Sequence, residues 1–385
     1  MIPNLGDDEP GRRPAGALPP AARLAAELFA TLFPASAVVR CDPRHPPLPR
    51  PWPDVLGPPR EEAVFPWLDR PGEAVAWIRT PEADALAGGR TLFGSPPELT
   101  RTIHDKAFAH RTAEEAGLLP PSLRETVLVL DPASCRDPLR ARRLIEERIA
   151  SWPEPFRGSY VLKPRQGGSA RGRYAGHAGR TDAGNLPPAL ARLASCGGAV
   201  LEPWLPRERD LSAQMLVEPD GTLRLLGTLE ILSAPSGRPL GHRGTLDTRG
   251  RIASGLDDDP ALREAAAAAA RAARDAGYHG PLGVDGFRFR APGGESELRP
   301  VVELNARFTL GMVVVGLLRR VLRTARPALG ARPEELMRFT FLLEADPEAI
   351  REDAAAGAVL FRLGPPEAGA PAPLLRVTRG PEGSA

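Results

Sequence analysis

Between positions 301 and 307 the chain reads Val301-Val302-Glu303-Leu304-Asn305-Ala306-Arg307, in which polar side chains alternate with apolar or small ones. Side chains two positions apart in a β-strand point to the same face, so Glu303, Asn305 and Arg307 are predicted to share one face. A second predicted strand, Val284–Arg290, carries Asp285, and pairing of the two strands would add this carboxylate to that face. Two carboxylates and an amide oxygen are hard ligands that suit Mg²⁺. The alternative is a solvent-exposed polar face of an antiparallel sheet.

A glycine-rich turn directly follows another predicted strand. The strand Ser159–Lys163 ends in a lysine, and the turn contains Gly167, Gly168 and Ser169. Because glycine lets backbone N–H groups approach a ligand closely, such a turn beside a lysine is suited to binding phosphate oxygens. It is not a P-loop, since the lysine precedes the glycines. A flexible surface hairpin is the alternative interpretation.

Lysine is rare in this chain. Of 50 basic residues only Lys106 and Lys163 are lysines, and all the others are arginines. With 45 prolines and 39 glycines, this composition indicates a high-GC bacterial genome. Under such a bias, a retained lysine indicates a position where a planar guanidinium does not replace a compact ammonium. Both lysines are therefore candidate functional residues.

Charge and hydropathy exclude several classes of protein. The 385 residues suffice for two or three domains, and a net charge of +2 predicts no nucleic-acid partner. The longest apolar run, Leu310–Leu318, is far shorter than the ~20 residues that span a membrane. The first residues are acidic and proline-rich, unlike a signal peptide, and the three cysteines lack CxxC spacing. We therefore expect a cytoplasmic protein without a membrane partner.

Turn and capping residues delimit several predicted elements. The segment Ser95-Pro96-Pro97-Glu98 is typical of a capping box that opens a helix. Longer helices are predicted over Pro260–Ala276 and from about Met312 to Arg323. Near the C-terminus the pattern predicts a helix over Pro347–Ala355 and a strand over Ala358–Leu363.

The order of these segments resembles the ATP-grasp superfamily, in particular its carboxylate–amine ligases. The resemblance covers about residues 95–325 and is sharpest at the Glu-x-Asn-x-Arg segment that ends at Arg307. It also includes the lysine and glycine turn, the hinge Leu201-Glu202-Pro203-Trp204-Leu205, then Arg209-Asp210-Leu211-Ser212 and Gly283-Val284-Asp285. Each motif alone is weak, but five in this order are fairly specific.

The resemblance implies an α+β fold. Two α+β lobes with antiparallel sheets would grip ATP, and a small N-terminal α/β domain would precede them. We expect the tail and the N-terminal domain over residues 1–94 and the ATP-grasp core over 95–330. The core would divide into a central lobe over about 121–203 and a C-terminal lobe over about 204–330. Residues 331–385 would form a C-terminal extension.

The resemblance also implies roles for the matching residues. Lys163 and Arg307 would be catalytic, with Arg307 stabilising the transferred phosphoryl or acyl-phosphate oxygens. The ATP site would comprise Lys106, Lys163, Gly167, Gly168, Ser169, Glu202, Leu205 and Asp210. Of these, Glu202 would lie near the adenine amino group and Asp210 at the ribose, where the family more often has glutamate. The metal ligands would be Asp285, Glu303 and Asn305, with two Mg²⁺ ions expected and Mn²⁺ as an alternative.

The implied reaction is ATP-dependent formation of a C–N bond. A small-molecule carboxylate would be activated as an acyl phosphate and attacked by an amine, and the protein would form a homodimer as many relatives do. Two other functions stay open. One is a kinase-like phosphotransferase or a carboxylase on the same fold, and the other is a non-catalytic ATP-binding module.

Recognition of the substrate is predicted from one segment only. His242 and Arg243 lie within Arg238–Thr248, where related enzymes often present groups to the acceptor. Arg243 has the geometry to bind a carboxylate in a bidentate manner. In a chain so rich in arginine, a solvated side chain is an equally good interpretation.

Overall fold

The computed structural model describes residues 1–4, 20–34, 36–38, 56, 61–70, 72–167, 172–177, 185–235, 237–345, 356–363 and 372–380. The helices are α1 (Pro20–Ala30), α2 (Pro81–Ala87), α3 (Pro97–Ile103), α4 (Lys106–Glu115), α5 (Pro132–Arg136), α6 (Pro138–Ser151), α7 (Leu186–Ser195), α8 (Asp259–Asp275) and α9 (Leu310–Ala328). Short 3₁₀ helices cover Pro66–Leu68, Pro121–Leu123 and Glu154–Phe156.

The strands are β1 (Leu128–Leu130), β2 (Ser159–Pro164), β3 (Tyr174–His177), β4 (Ala199–Pro203), β5 (Arg207–Val217), β6 (Leu223–Ser233), β7 (Pro239–Leu246), β8 (Ile252–Ala253), β9 (Gly280–Arg290), β10 (Ser296–Asn305), β11 (Met337–Ala345), β12 (Val359–Arg362) and β13 (Ala372–Arg379). They form two sheets. The smaller has the order β1-β4-β2-β3, and the larger has the order β10-β9-β5-β6-β7-β11-β13-β12 with β8 on β7. All pairings within these sheets are antiparallel. This is the predicted arrangement of two α+β lobes.

Two helices cover opposite faces of the large sheet. The alanine-rich face of α8 packs against the core that contains Ala213 of β5. The next residue, Gln214, lies so close to Gly311 of α9 that a Cβ at Gly311 would be 2.5 Å from its Nε2 atom. Because successive side chains of a strand point to opposite faces, Ser212, Gln214 and their neighbours across the sheet face the side of α9.

The N-terminal segment is joined to the large sheet through α9. Its short parallel bridges link Ile2 to Ala76 and Ala74 to Leu92, around a small apolar core. Helix α1 packs in the same core as α9, where Phe29 contacts Phe308 with a centroid distance of 4.8 Å. The strands β11, β12 and β13, which lie in the predicted C-terminal extension, continue the large sheet beyond β7.

The pairing of β9 with β10 contains a bulge. Arg299 lies opposite Phe287 and Glu303 lies opposite Asp285, so the register shifts between these two pairs. The bulge contains a proline, Pro300, which has no N–H to donate to a neighbouring strand. Bulges of this kind redirect side chains and are frequent next to functional sites.

Helix α8 agrees with the predicted Pro260–Ala276 to within one residue at each end. The predicted capping box is wrong, because Pro96 is the N-cap of α3 and the Ser95 hydroxyl instead accepts a hydrogen bond from the backbone N–H of His279 at 2.7 Å. The predicted helix Pro347–Ala355 lies outside the described residues. The domain boundaries stay a prediction.

No helix in the described part of the chain combines the length and the apolar character needed to cross a membrane.

We expect Gly286→Ala to destabilise the protein by about 1–3 kcal/mol, because overpacking a close contact forces the backbone to shift. A Cβ at this position would lie 2.7 Å from the carbonyl oxygen of Pro300 and 2.8 Å from that of Arg299. Urea unfolding measures the change. The control is Gly158→Ala, where a Cβ would meet nothing within 4 Å. Equal stability of the two variants would contradict the tight packing at the bulge.

Candidate active site

A carboxylate pair lies where β9 and β10 meet after the bulge. Asp285 of β9 is directly opposite Glu303 of β10, and Ser212 of β5 is opposite Asp285 on the other side. The Ser212 hydroxyl donates to Asp285 Oδ1 at 2.6 Å, and the Asn305 amide donates to Asp285 Oδ2 at 2.8 Å. The structure therefore brings together the three residues predicted to bind metal.

The two carboxylates differ in their electrostatic surroundings. Burial and the nearby Glu303 raise the pKa of Asp285 to about 7. Burial also acts to raise the pKa of Glu303, but Lys106, His104 and Arg307 lower it more, so the net shift is downward. The ammonium of Lys106 lies 3.3 Å from Glu303 Oε1.

These residues fit a divalent cation. Repulsion between two facing carboxylates is part of what raises the pKa of Asp285, and a cation between them would remove it. Among the described residues, Glu303 Oε1 is buried without a hydrogen-bond donor in bonding geometry. The same part of the chain has no cluster of three or more His, Cys, Asp or Glu side chains suited to a metal. A Mg²⁺ ion that takes one or two carboxylates and completes its shell with phosphates and water needs no such cluster.

Lys106 connects the carboxylate pair with the glycine-rich turn. Asp105 caps the N-terminus of α4 by accepting from the backbone N–H of Ala107 at 2.8 Å, and it also accepts from Arg165 at 2.6 Å. The ammonium of Lys106 donates to the carbonyl oxygen of Gly167 at 2.7 Å. Two further predicted residues of this turn, Gly168 and Ser169, lie outside the described residues.

A second charged cluster joins the two lobes. Lys163 of β2 and Arg299 of β10 each donate to a different oxygen of Glu202 on β4, with an Nη2–Oε1 distance of 2.7 Å for Arg299. Burial lowers the pKa of Lys163 to about 8 although Glu202 acts against this shift. Burial acts to raise the pKa of Glu202, but Arg299 and Lys163 together hold it well below its usual range.

The remaining residues predicted to bind ATP lie at the hinge after β4 and on β5. Leu205 is buried there, and Asp210 of β5 accepts from Arg207 at 2.9 Å. The guanidinium of Arg207 lies over the ring of Phe287 at 4.2 Å from its centroid. Asp210 is directly opposite Phe287 across β5 and β9, on the side of the sheet that carries Asp285.

Arg307 lies just beyond the end of β10 and contacts Asn305, in a geometry that the sequence did not predict. The strand ends at Asn305, so Arg307 lies outside it and strand alternation does not place it on the face shared by Glu303 and Asn305. The chain turns there, and the guanidinium donates to Asn305 Oδ1 at 3.0 Å and to the Phe308 carbonyl at 3.1 Å. Arg307 therefore orients the amide of Asn305.

The two residues predicted to bind substrate lie apart from the carboxylate pair. They are on β7, three strand spacings from β9, which corresponds to about 14 Å. Arg243 already makes a bidentate contact with Glu230 at 2.7 and 2.8 Å. His242 is buried between Ile231 and Phe341 of the adjacent strands. Burial lowers its pKa to about 4.

The sequence did not predict two residues that hold Ser212, the hydrogen-bond partner of Asp285. The Thr309 hydroxyl donates to Gln214 Oε1, and Gln214 donates to the Ser212 hydroxyl at 2.7 Å. Gln214 is one of only two glutamines in the chain, so composition offered a signal. Arg299 had none, because it is one arginine among many.

His242 gives a prediction for the pH dependence of stability. The pKa of this side chain is about 4 in the folded protein and 6.5 for an unperturbed histidine, as in the unfolded chain. The unfolded chain therefore binds the proton more readily. This contribution to the free energy of unfolding is complete above pH 6.5 and decreases as the pH falls toward 4. We expect His242→Gln to lose this part of the slope in urea unfolding between pH 7 and 4.

The control is His177→Gln, which removes an exposed histidine from β3. An unchanged slope in the His242 variant would contradict the burial of a neutral imidazole.

No protein-family model matches this chain, and no curated protein matches it significantly. Solved structures do match. N5-carboxyaminoimidazole ribonucleotide synthetase from Thermus thermophilus is 18% identical with a TM-score of 0.53, over 99% of this chain and 94% of that one. Pyruvate carboxylase from Rhizobium etli is 16% identical with a TM-score of 0.50, over 80% of this chain but only 29% of that one. Together with the two antiparallel sheets and their helices, this likeness confirms the predicted architecture: the chain has the α+β ATP-grasp fold.

Proposed function

We propose that this protein is an ATP- and Mg²⁺-dependent ligase that activates a carboxylate as an acyl phosphate for attack by an amine. The observation that carries the proposal is the arrangement around Lys106. Its ammonium lies between the carbonyl of Gly167 and the carboxylate of Glu303, so it joins the glycine-rich turn to the carboxylate pair. A nucleotide whose phosphates lie along this turn would have its terminal phosphate beside Asp285 and Glu303.

The residues that would hold Mg²⁺ are Asp285, Glu303 and Asn305. When bound, the ion supplies charge neutralisation for a transferring phosphoryl group. Lys106 beside Glu303 and Arg307 beside Asn305 add positive charge from the protein itself. Because phosphoryl transfer depends mainly on positioning and charge, this set of side chains suits it.

The proposed reaction has two steps. In the first, a carboxylate oxygen of the substrate bonds to the γ-phosphorus of ATP while the bond from that phosphorus to the bridging oxygen breaks, which releases ADP. In the second, an amine nitrogen bonds to the carbonyl carbon of the acyl phosphate, inorganic phosphate leaves, and the nitrogen loses a proton. The product is an amide or a related C–N bond.

Bicarbonate is a second candidate for the acid that the protein activates. The synthetase from Thermus thermophilus matches nearly the whole of this chain, and its name describes a product in which an amine carries a carboxyl group. A carboxylated amine forms when the activated acid is bicarbonate.

Three further expectations stay predictions. They are a cytoplasmic location, a homodimer, and two metal ions with Mn²⁺ as an alternative.

A trapping assay tests the proposal. The protein is incubated with Mg·ATP and a panel of carboxylic acids, and hydroxylamine is added to convert an acyl phosphate to a hydroxamate. A separate arm measures ADP release that depends on bicarbonate and an amine. Hydroxamate from one acid supports the ligase and identifies its substrate. ADP release with transfer of the phosphoryl group to another acceptor, and without hydroxamate, would favour a phosphotransferase instead. Tight ATP binding without turnover would favour a non-catalytic module.

Glu303→Gln tests the carboxylate pair. We expect kcat for ADP release to fall by at least about 100-fold, since a neutral amide loses the charge that holds the cation. The matched control is Glu297→Gln on the same strand, where the carboxylate accepts from Ser122 at 2.8 Å, away from the carboxylate pair. Both variants should unfold at similar urea concentrations. Full activity of the Glu303 variant would count against the proposed site.

A further inference from the structure

Arg299 is an almost fully buried cation between the two lobes. Its side chain is 2% exposed, and that of its partner Glu202 is 5% exposed. Arg299 belongs to β10 of the large sheet, whereas Glu202 belongs to β4 of the small sheet. Their contact is therefore a direct ion pair between the lobes.

This arrangement is costly unless the charges are compensated. Taking a guanidinium out of water has a large desolvation penalty, which only good pairing offsets. Among the described residues, the Nε atom of Arg299 is buried without an acceptor, so its pairing is incomplete. A shorter apolar side chain would avoid the cost of burying this guanidinium, but it would leave one oxygen of Glu202 without its partner. The position of Arg299 therefore suggests that its charge has a use at Glu202.

Glu202 is held by two cations in one orientation. One carboxylate oxygen accepts from Arg299 and the other from Lys163, which approach from different sheets. Both cations keep its pKa well below the usual range, so the carboxylate is ionised and can only accept hydrogen bonds. Each oxygen retains a further lone pair for a ligand.

We propose that Arg299 is a positioning residue that holds the Glu202 carboxylate so that it accepts a hydrogen bond from the amino group of an adenine base and rejects bases with a carbonyl oxygen there. This inference rests on the proposed use of ATP and on the predicted place of Glu202 beside the adenine. It adds the means by which the base is selected. A carbonyl oxygen facing a fixed, ionised carboxylate would place two acceptors together, and neither could turn away.

Inosine nucleotides are probes for this role, because inosine differs from adenosine at the position of the amino group. Hypoxanthine carries a carbonyl oxygen where adenine carries its amino group. Calorimetric titration with Mg·ADP and Mg·IDP therefore measures the contribution of the amino group directly. We expect the wild-type protein to bind ADP at least about tenfold more tightly than IDP, as for a hydrogen bond to a charged group. Equal affinities would overturn the proposal.

Arg299→Met should raise the Kd for ADP by at least about tenfold and leave that for IDP unchanged or lower. The reason is that Glu202 retains Lys163 as a partner but loses the contact that fixes its orientation. A purely structural role would raise both dissociation constants by the same factor, and this result would overturn the proposal. Arg299→Lys keeps the charge without the planar fork and should retain part of the preference, which also covers the case that the methionine variant does not fold.

The matched control is Arg288→Met on the adjacent strand β9. Arg288 makes a comparable ion pair with Asp258, with an Nε–Oδ2 distance of 2.8 Å, but does not contact Glu202. Its variant should have lower stability and an unchanged ratio of ADP to IDP affinity. Wild-type protein that binds neither nucleotide would overturn the proposed function itself, whereas loss of selectivity in both arginine variants would overturn only the role of Arg299.

Discussion

The pairing of β9 with β10 is the constraint on which the candidate site depends. It places Asp285 opposite Glu303. The bulge that contains Pro300 shifts the register between this pair and the pair of Arg299 with Phe287. Without the shift, the side chains of β10 beyond the bulge would meet different partners on β9. Gly286 is part of the same arrangement, because any Cβ there would collide with the backbone of the bulge.

One glutamate in each sheet is balanced by a lysine. Each lysine of the chain is paired with one glutamate: Lys106 contacts Glu303, and Lys163 contacts Glu202. In the proposed function, Glu303 would serve the metal and Glu202 the base. A compact ammonium can serve two acceptors at once, as Lys106 does with Gly167 and Glu303, which supports the interpretation that position 106 requires lysine.

Much of the fold could be predicted because its signals are local. The alternation of polar and apolar residues around Glu303 predicted a strand, and the alanine-rich segment before Gly277 predicted α8 almost to the residue. Ser95 was misinterpreted because a distant partner, His279, binds its hydroxyl in place of the helix N-terminus. The segment that forms β7 was interpreted as a substrate segment because related enzymes often present groups to the acceptor there, whereas its pairing with β6 and β11 depends on contacts distant in the chain.

The sequence by itself determined which side chains are candidates for the chemistry: two rare lysines, a carboxylate on each of two strands, and an asparagine between apolar residues. It did so because strand periodicity and residue type act over a few positions. Only the tertiary structure decided that Arg299 meets Glu202, that Arg243 is occupied by Glu230, and that Gln214 and Thr309 support Asp285 through Ser212. These contacts join residues that are distant in the chain, and they form because a buried charge or amide must find its partner wherever the packing of sheets and helices brings one within reach.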